Sequence, residues 1–378
     1  MPLDLAMLGA KISAYRNELS DSVEDVALAT GVNSKRIVDI EAGRAEPTGD
    51  EILIFSDHFR CDYKVFITNE PRASSHPAQT LYRAKTDSFT KEDRRAIRDF
   101  LYLCETEFEL SQELGKSSAA FAFTPKGRPY EQPANAVTAV RAALGYKERE
   151  LPRDIFNDCR RLGIHVFRRR LGDSNISGLF IVHPTAGKCI LVNASEDIYR
   201  QRFSAAHELA HALFDAEAMA SVSLHSERHD PVERRANEFA SAYLMPAPLL
   251  KQLPAPGKWN DDDVRRWAND FRVSCTALGI ALRKSKLVNE VQSKHIQSLR
   301  VPASAKVDPE IPLSLTDGQK TRKAALLAQG LSDHYVAICF DAYKEGIVSA
   351  GRLAEALLLS PSELHEVAVL YGRSLHGH

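Results

Sequence analysis

Phe203-Ser-Ala-Ala-His207-Glu208-Leu-Ala-His211-Ala-Leu-Phe214 is an apolar run that carries two histidines and a glutamate at a fixed spacing. The run predicts a buried helix. On a helix, His207 and His211 stand one turn apart and project from the same side. Imidazoles so placed can grip one Zn2+, with Glu208 beside the metal as a general base. A catalytic zinc site also needs a third protein ligand and an open position for water. That ligand is expected elsewhere in the chain.

A second helix is predicted downstream, from Val232 to Pro246, and two of its glutamates compete for the role. Glu233 and Asn237 are one turn apart and share a face. If Glu233 binds the metal, the Asn237 amide points at the same site and can orient a histidine ring. Glu238 lies on another face, beside Arg234. The order Glu233-Arg-Arg-Ala-Asn237 also resembles the third-ligand segment of the gluzincin peptidases, and Glu233 is the preferred reading. His225 and His229, between the two helices, are substitute ligands or part of a loop at the entrance. Tyr243, His225 and His229 are candidate donors to an oxyanion.

Upstream, Ile164–Phe167, Ser177–Val182 and Lys188–Asn193 read as strands, the last two joined by a turn over Thr185-Ala-Gly187. A small sheet before such a helix can hold an extended peptide along its edge. The run Arg168-Arg-Arg170 is either a surface for nucleic acid or acidic peptide, or a solvated strand end.

Composition sets outer bounds. At 378 residues the chain is long enough for several domains. A net charge of −1 gives no overall electrostatic case for nucleic acid or membrane. No apolar run is long enough to span a bilayer, and no basic segment precedes the apolar residues at the N-terminus. The six cysteines have no paired spacing, which fits reduced thiols. The expected location is cytoplasmic, with no membrane partner.

Residues 1–70 carry a second pattern. Helical spacing runs over Leu8–Leu19, Ser22 can cap a helix that Gly31 ends, and Asn33 to Gly43 forms a third. Gly31-Val32, Ser34, Ile37, Ile40-Glu41, Gly43 and Pro47 together resemble the helix-turn-helix domain of Xre-type repressors. Seven Lys and Arg stand against thirteen Asp and Glu here, whereas DNA affinity rests on neutralising phosphates. Val23 also stands where such repressors commonly have Gln. DNA binding and a protein-docking role both stay open.

The longer pattern is more telling. Arg202-Phe203, Ala206-His207-Glu208, His211, then Glu233 through Asn237, Ala240 and Tyr243-Leu-Met-Pro246, then Trp259, Asp263, Trp267, Phe271, Val273-Ser274 and Ala277 resemble the ImmA/IrrE metallopeptidases. The fold class implied is α+β. It comprises an all-α helix-turn-helix domain (1–70), a linker and bridging helix (71–132), and a gluzincin-like zinc metallopeptidase domain with a small sheet (133–295). A linker (296–316) and a helical module (317–378), itself similar to a small helix-turn-helix, follow. The resemblance implies His207, His211 and Glu233 as zinc ligands, Glu208 as the catalytic residue and Asn237 as their support. It also implies an Xre-type repressor encoded nearby as substrate, cleaved to relieve repression in a stress, DNA-damage or defence response. DNA is kept as a candidate direct ligand or activator. The alternative is a DNA-binding transcriptional regulator whose peptidase-like domain acts as a sensor. Self-cleavage in 71–80 or 301–312 is a third reading. A thiolate from Cys104 or Cys189 filling the open metal position is the candidate restraint.

Overall fold

The computed structural model describes residues 3–69, 89–116, 120–128, 130–172, 175–218, 220–224 and 230–375, the last strand before residue 225 by its backbone alone. The expected linker at 71–80, His225 and His229 lie outside the described residues. The chain divides into two compact units, one made mainly of residues 1–103, the other of 104–170 and 174–378.

The first unit begins with five helices: α1 (Leu5–Leu19), α2 (Val23–Thr30), α3 (Ser34–Glu41), α4 (Gly49–Phe59) and α5 (Lys64–Ile67). Local chemistry sets their ends. Ser22 and Asp25 form a reciprocal cap on α2, Gly31 ends it at φ +73°, and Thr48 and Glu51 cap α4 in the same way. Leu8, Ile12, Tyr15, Val26, Ile37, Ile40, Phe55 and Phe59 bury against one another. Gly9 lets α1 approach α3, since a Cβ there would run into the Ile40 and Glu41 carbonyls. The long helix α6 (Lys91–Glu113) starts in this unit, where Arg98 donates to the Phe59 carbonyl at 2.8 Å.

The arginines around the tight turn are spent inside the unit. Arg16 makes a two-pronged pair with Glu41 (2.7 and 2.9 Å), Arg36 makes another with Glu51 (3.0 and 2.9 Å), and Arg44 pairs with Asp39 at 2.8 Å. Arg36 also donates to the Glu46 carbonyl at 2.7 Å.

In the second unit, α7 (Gln132–Ala143) and α8 (Ile155–Arg161) precede strands β1 (His165–Arg169), β2 (Ile176–His183) and β3 (Gly187–Asn193). Then come α9 (Ile198–Phe214), β4 (Ala220–Leu224) and α10 (Pro231–Leu244). The sheet order is β1-β3-β2-β4; β1 is parallel to β3, and β2 is antiparallel to both its neighbours. This is an α+β arrangement, mostly helical around one small sheet. β4 was not among the expected strands; it falls in the stretch between the two site helices. α7 ends at Ala143, just before Gly145 at φ +73° turns the chain out of the helix.

Alternation splits the sheet into two faces. Val166, Phe180, Ile190 and Val192 join a core with Ala205, Ala206, Leu209 and Leu213 of α9. The other face carries Phe167 and Cys189. Phe167 meets Tyr335 edge-on, with ring centres 5.3 Å apart. Tyr335 lies on α16 (Asp333–Lys344), which follows α11 (Ala247–Leu250), α12 (Asp261–Phe271), α13 (Cys275–Lys284), α14 (Glu290–Ser298) and α15 (Asp317–Leu327). Helices α17 (Ala350–Ala356) and α18 (Pro361–Leu370) close the chain. Glu107, near the end of α6, joins this region to β1, reaching His165 at 2.9 Å and His334 at 2.8 Å.

Only the end of the arginine run is solvated: Arg170 is exposed and Arg169 half-buried, while Arg168 is not on the surface. Arg168 is buried, its guanidinium held by Asp308 (3.0 and 2.6 Å) and Glu310 (3.1 Å), with its Nε donating to Gln201 of α9 at 2.8 Å. Glu310 is buried too and also pairs with Arg160 at 2.9 Å. The stretch 296–316, polar and proline-rich enough to read as a linker, is therefore tied to β1, α8 and α9. Beyond it, Arg170 donates its backbone N–H to the Ala328 carbonyl and Arg169 bridges to Gln329, so the chain itself covers the β1 edge. Removing one partner of a buried charge pair leaves the other without compensation, at a cost of about 3–5 kcal/mol. Arg168→Met is accordingly expected to lower the midpoint of urea unfolding followed by circular dichroism. A midpoint indistinguishable from wild type would show that the clamp carries no stability.

Candidate metal centre

Helix α9 is fixed before it reaches the histidines. Asp197 caps it, accepting from the Tyr199 N–H at 3.0 Å. Arg202 is fully buried and donates to the backbone carbonyls of Pro152 (2.8 Å) and Arg272 (3.1 Å), and also to that of Arg153. Burial first, and then the neighbouring Arg272, bring its guanidinium down to about 10. A charge placed there is tolerated because carbonyl oxygens replace its water.

One turn later the donors converge. The Nε2 atoms of His207 and His211 are 3.1 Å apart, and Glu233 places Oε2 at 3.1 Å from His207 and Oε1 at 3.3 Å from His211. Among the described residues, this is the one set of three His, Cys, Asp or Glu side chains close enough to share an ion. A tetrahedral ion with bonds of 2.0–2.1 Å holds its donors about 3.3 Å apart, so the set fits zinc. The far side of each ring is also engaged. His207 Nδ1 meets Asn237 Oδ1 at 3.1 Å, and His211 Nδ1 meets Asp215 Oδ2 at 2.9 Å. With Nδ1 donating, each ring turns an Nε2 lone pair toward the shared point.

The electrostatics agree. Burial opposes charge on His211, but hydrogen bonds to Asp215 and Glu233 outweigh it and push the imidazole up to about 10. Burial likewise raises Glu233, and its bonds to the two histidines outweigh that and hold the carboxyl down to about 2. The cluster demands positive charge, which a divalent cation supplies more fully than a proton.

Glu208 is completely buried and faces the same cleft as His207 and Glu233. Gly178 of β2 makes room for it: a Cβ there would lie 3.1 Å from Glu208 Cγ and Oε1, and 3.0 Å from the Leu191 carbonyl. α10 sets Glu233 by its cap, in which Asp230 accepts from the Val232 N–H and Pro231 starts the helix.

The structure thus brings together His207, His211, Glu208, Glu233 and Asn237. It does not bring Glu238, whose carboxylate lies 3.8 Å from Lys284 on another face of α10. Tyr243 is corrected as an oxyanion donor. It is buried against Phe239, and its hydroxyl donates to Asp158 at 2.8 Å. Cys104 and Cys189 are corrected as metal inhibitors. They are buried and hydrogen-bonded to each other, with Cys189 on the sheet face turned away from α9. Burial, then the neighbouring Cys189, holds the Cys104 thiol protonated, and a thiolate is what a metal takes. Two contributors escaped the sequence. Asp215 follows the predicted helix one turn after His211 and is itself paired with Arg235, whose guanidinium sits 4.6 Å from the centre of the Phe214 ring. Gly178 looked like an ordinary strand glycine. The i, i+4 spacing of His211 and Asp215 was the available signal for the first; only the packing reveals the second.

Residues 159–283 match the family model for the IrrE N-terminal-like domain of peptidase family M78. The match runs from α8 through the sheet and both site helices nearly to the end of α13, and contains the whole cluster. Over this stretch the chain is similar to that domain, a likeness that suggests a metallopeptidase-like function. No curated protein matches the chain.

Elemental analysis after dialysis is expected to find metal retained by Glu238→Ala and lost from Glu233→Ala. Asn237→Ala and Asp215→Ala should each weaken metal affinity about 10–100-fold. Equal metal content in the two glutamate variants would remove Glu233 from the site.

Proposed function

We propose that the protein is a zinc-dependent endopeptidase that cleaves a helix-turn-helix transcriptional repressor, relieving repression in a stress, DNA-damage or defence response. The observation that carries the catalytic part is Glu208. Three other side chains suffice to hold an ion, yet a fully buried carboxylate stands in the same cleft. Metal binding alone gives no reason to keep it there.

His207, His211 and Glu233 would hold zinc, with Asn237 and Asp215 orienting the two rings. When bound, zinc supplies Lewis acidity, making water a nucleophile near neutral pH and polarising the scissile carbonyl. Glu208 takes the proton of the attacking water and returns it to the leaving amine. Its burial, with Gly178 pressed against it, holds the carboxylate in one position for both transfers.

The choice of an Xre-type repressor as substrate rests on the resemblance of this domain to ImmA/IrrE peptidases and on the fused N-terminal helices. The paired arginines of that unit favour protein docking over DNA. Arg16 and Arg36 are each held by a carboxylate in a two-pronged pair, which leaves them poorer partners for phosphate. The reading as a DNA-binding regulator with a peptidase-like sensor loses support for the same reason.

Incubation of zinc-loaded wild type and Glu208→Gln with helix-turn-helix proteins encoded beside it, followed by mass spectrometry of fragments, tests the catalytic reading. Cleavage by wild type and a loss of about 10²–10⁴-fold in Glu208→Gln are expected; equal cleavage by both would refute it. In gel shifts the full-length protein should show no affinity for duplex DNA at physiological salt. Tight binding abolished by Lys35→Ala and Arg36→Ala would restore the regulator reading.

A further inference from the structure

The cleft that holds Glu208 extends well past the metal cluster, and its walls indicate what substrate it takes. This inference rests on the peptidase reading and adds a substrate preference to it. The cavity has a volume of about 290 Å³ and is bounded by α9, α10 and α13. Along α9 its lining runs from His207 back to Arg200, and along α10 from Glu233 on to Ser241. At 1.5 Å per residue, both walls lead roughly 10–12 Å away from the cluster. An extended chain rising about 3.3 Å per residue places roughly three residues in that length.

Part of the cleft wall is apolar, among the polar Ser204, Asn237, Ser241 and Thr276. Phe203 of α9 faces the cleft, as do Ala277 and Ile280 of α13, all half-buried, and the small Ser241 and Ala277 leave the room between helices. The cleft is roomy enough for a large side chain with the backbone that carries it. Phe203 and Ile280 gain from covering apolar surface, and a polar side chain placed there would lose water without finding a partner in them.

Two cations line the cleft, each beside a glutamate. Arg200 lies 3.6 Å from Glu196 and donates to Ser177 Oγ at 3.1 Å, and Lys284, just past Ile280 on the same helix, lies 3.8 Å from Glu238. Both pairs are long and partly exposed, so a substrate carboxylate can compete for either cation at small cost.

We infer that the cleft is a substrate-binding groove selecting a peptide segment with a large aliphatic or aromatic residue on Phe203, Ala277 and Ile280 and an acidic residue within about three positions of it. The groove sorts substrates by side chain and does not depend on a particular repressor fold.

The test uses full-length protein and a positional library of quenched fluorescent peptides. Zinc-loaded wild type is expected to prefer Leu, Ile or Phe over Gly or Asp at one position by at least about tenfold in kcat/KM. Asp or Glu should be favoured nearby. Ala277→Phe should fill the groove and invert the size preference, and Ile280→Ala should broaden it. Arg200→Gln should erase the preference for the acidic residue. Cleavage without an apolar preference, or a preference unchanged in both α13 variants, overturns the inference while leaving the peptidase reading intact. If wild type cleaves nothing, the peptidase reading fails, and anisotropy of the same peptides on metal-free Glu208→Gln protein decides the groove. Apolar-selective binding lost in Ala277→Phe supports it, and binding indifferent to the apolar residue refutes it.

Discussion

Two imidazoles and a carboxylate meet within 3.1 to 3.3 Å of one another at the buried end of a cleft, and the rest of the second unit is arranged around that fact. Lone pairs brought so close repel unless a cation stands among them. Holding them there demands that each donor be fixed from behind. Asn237 does so for His207, and Asp215, itself held by Arg235, does so for His211. Glu233 is placed by the first turn of a capped helix, and α9 is anchored by the three carbonyls around Arg202.

The same economy shapes the periphery. Arg168, Arg160, Asp308 and Glu310 form a buried charge network that joins β1 and α8 to the chain beyond α14. Gln201, one residue before Arg202, belongs to that network. The stretch after α14 is therefore coupled to the helix that carries the histidines. Charged groups buried this way add little stability compared with apolar packing, but removing one of them leaves its partner buried without compensation.

Much of this was legible in the residues. The His-Glu-x-x-His spacing, the shared face of Glu233 and Asn237, and the alternating strands before α9 follow from helical and strand periods alone. What was hidden depended on contacts distant in sequence. The arginine run looked like surface because its partners, Asp308 and Glu310, lie about 140 positions away in a stretch whose composition suggests a linker. The separate roles of Tyr243 and the cysteines turned on which side of a helix or sheet faces α9, and short patterns leave that choice open. Gly178 could not be singled out, because its importance is the space it leaves for Glu208. β4 was missed because five residues of Ala, Ser, Val and Leu give a weak strand signal between two strong helices.

X-ray absorption at the zinc edge of the purified protein reads the metal's surroundings themselves. One zinc per chain is expected, in a shell of nitrogen and oxygen at about 2.0–2.2 Å with the imidazole scattering of two histidines. A zinc shell containing sulfur at about 2.3 Å, or a protein that holds no zinc when refolded with it, would show that His207, His211 and Glu233 do not form a zinc site.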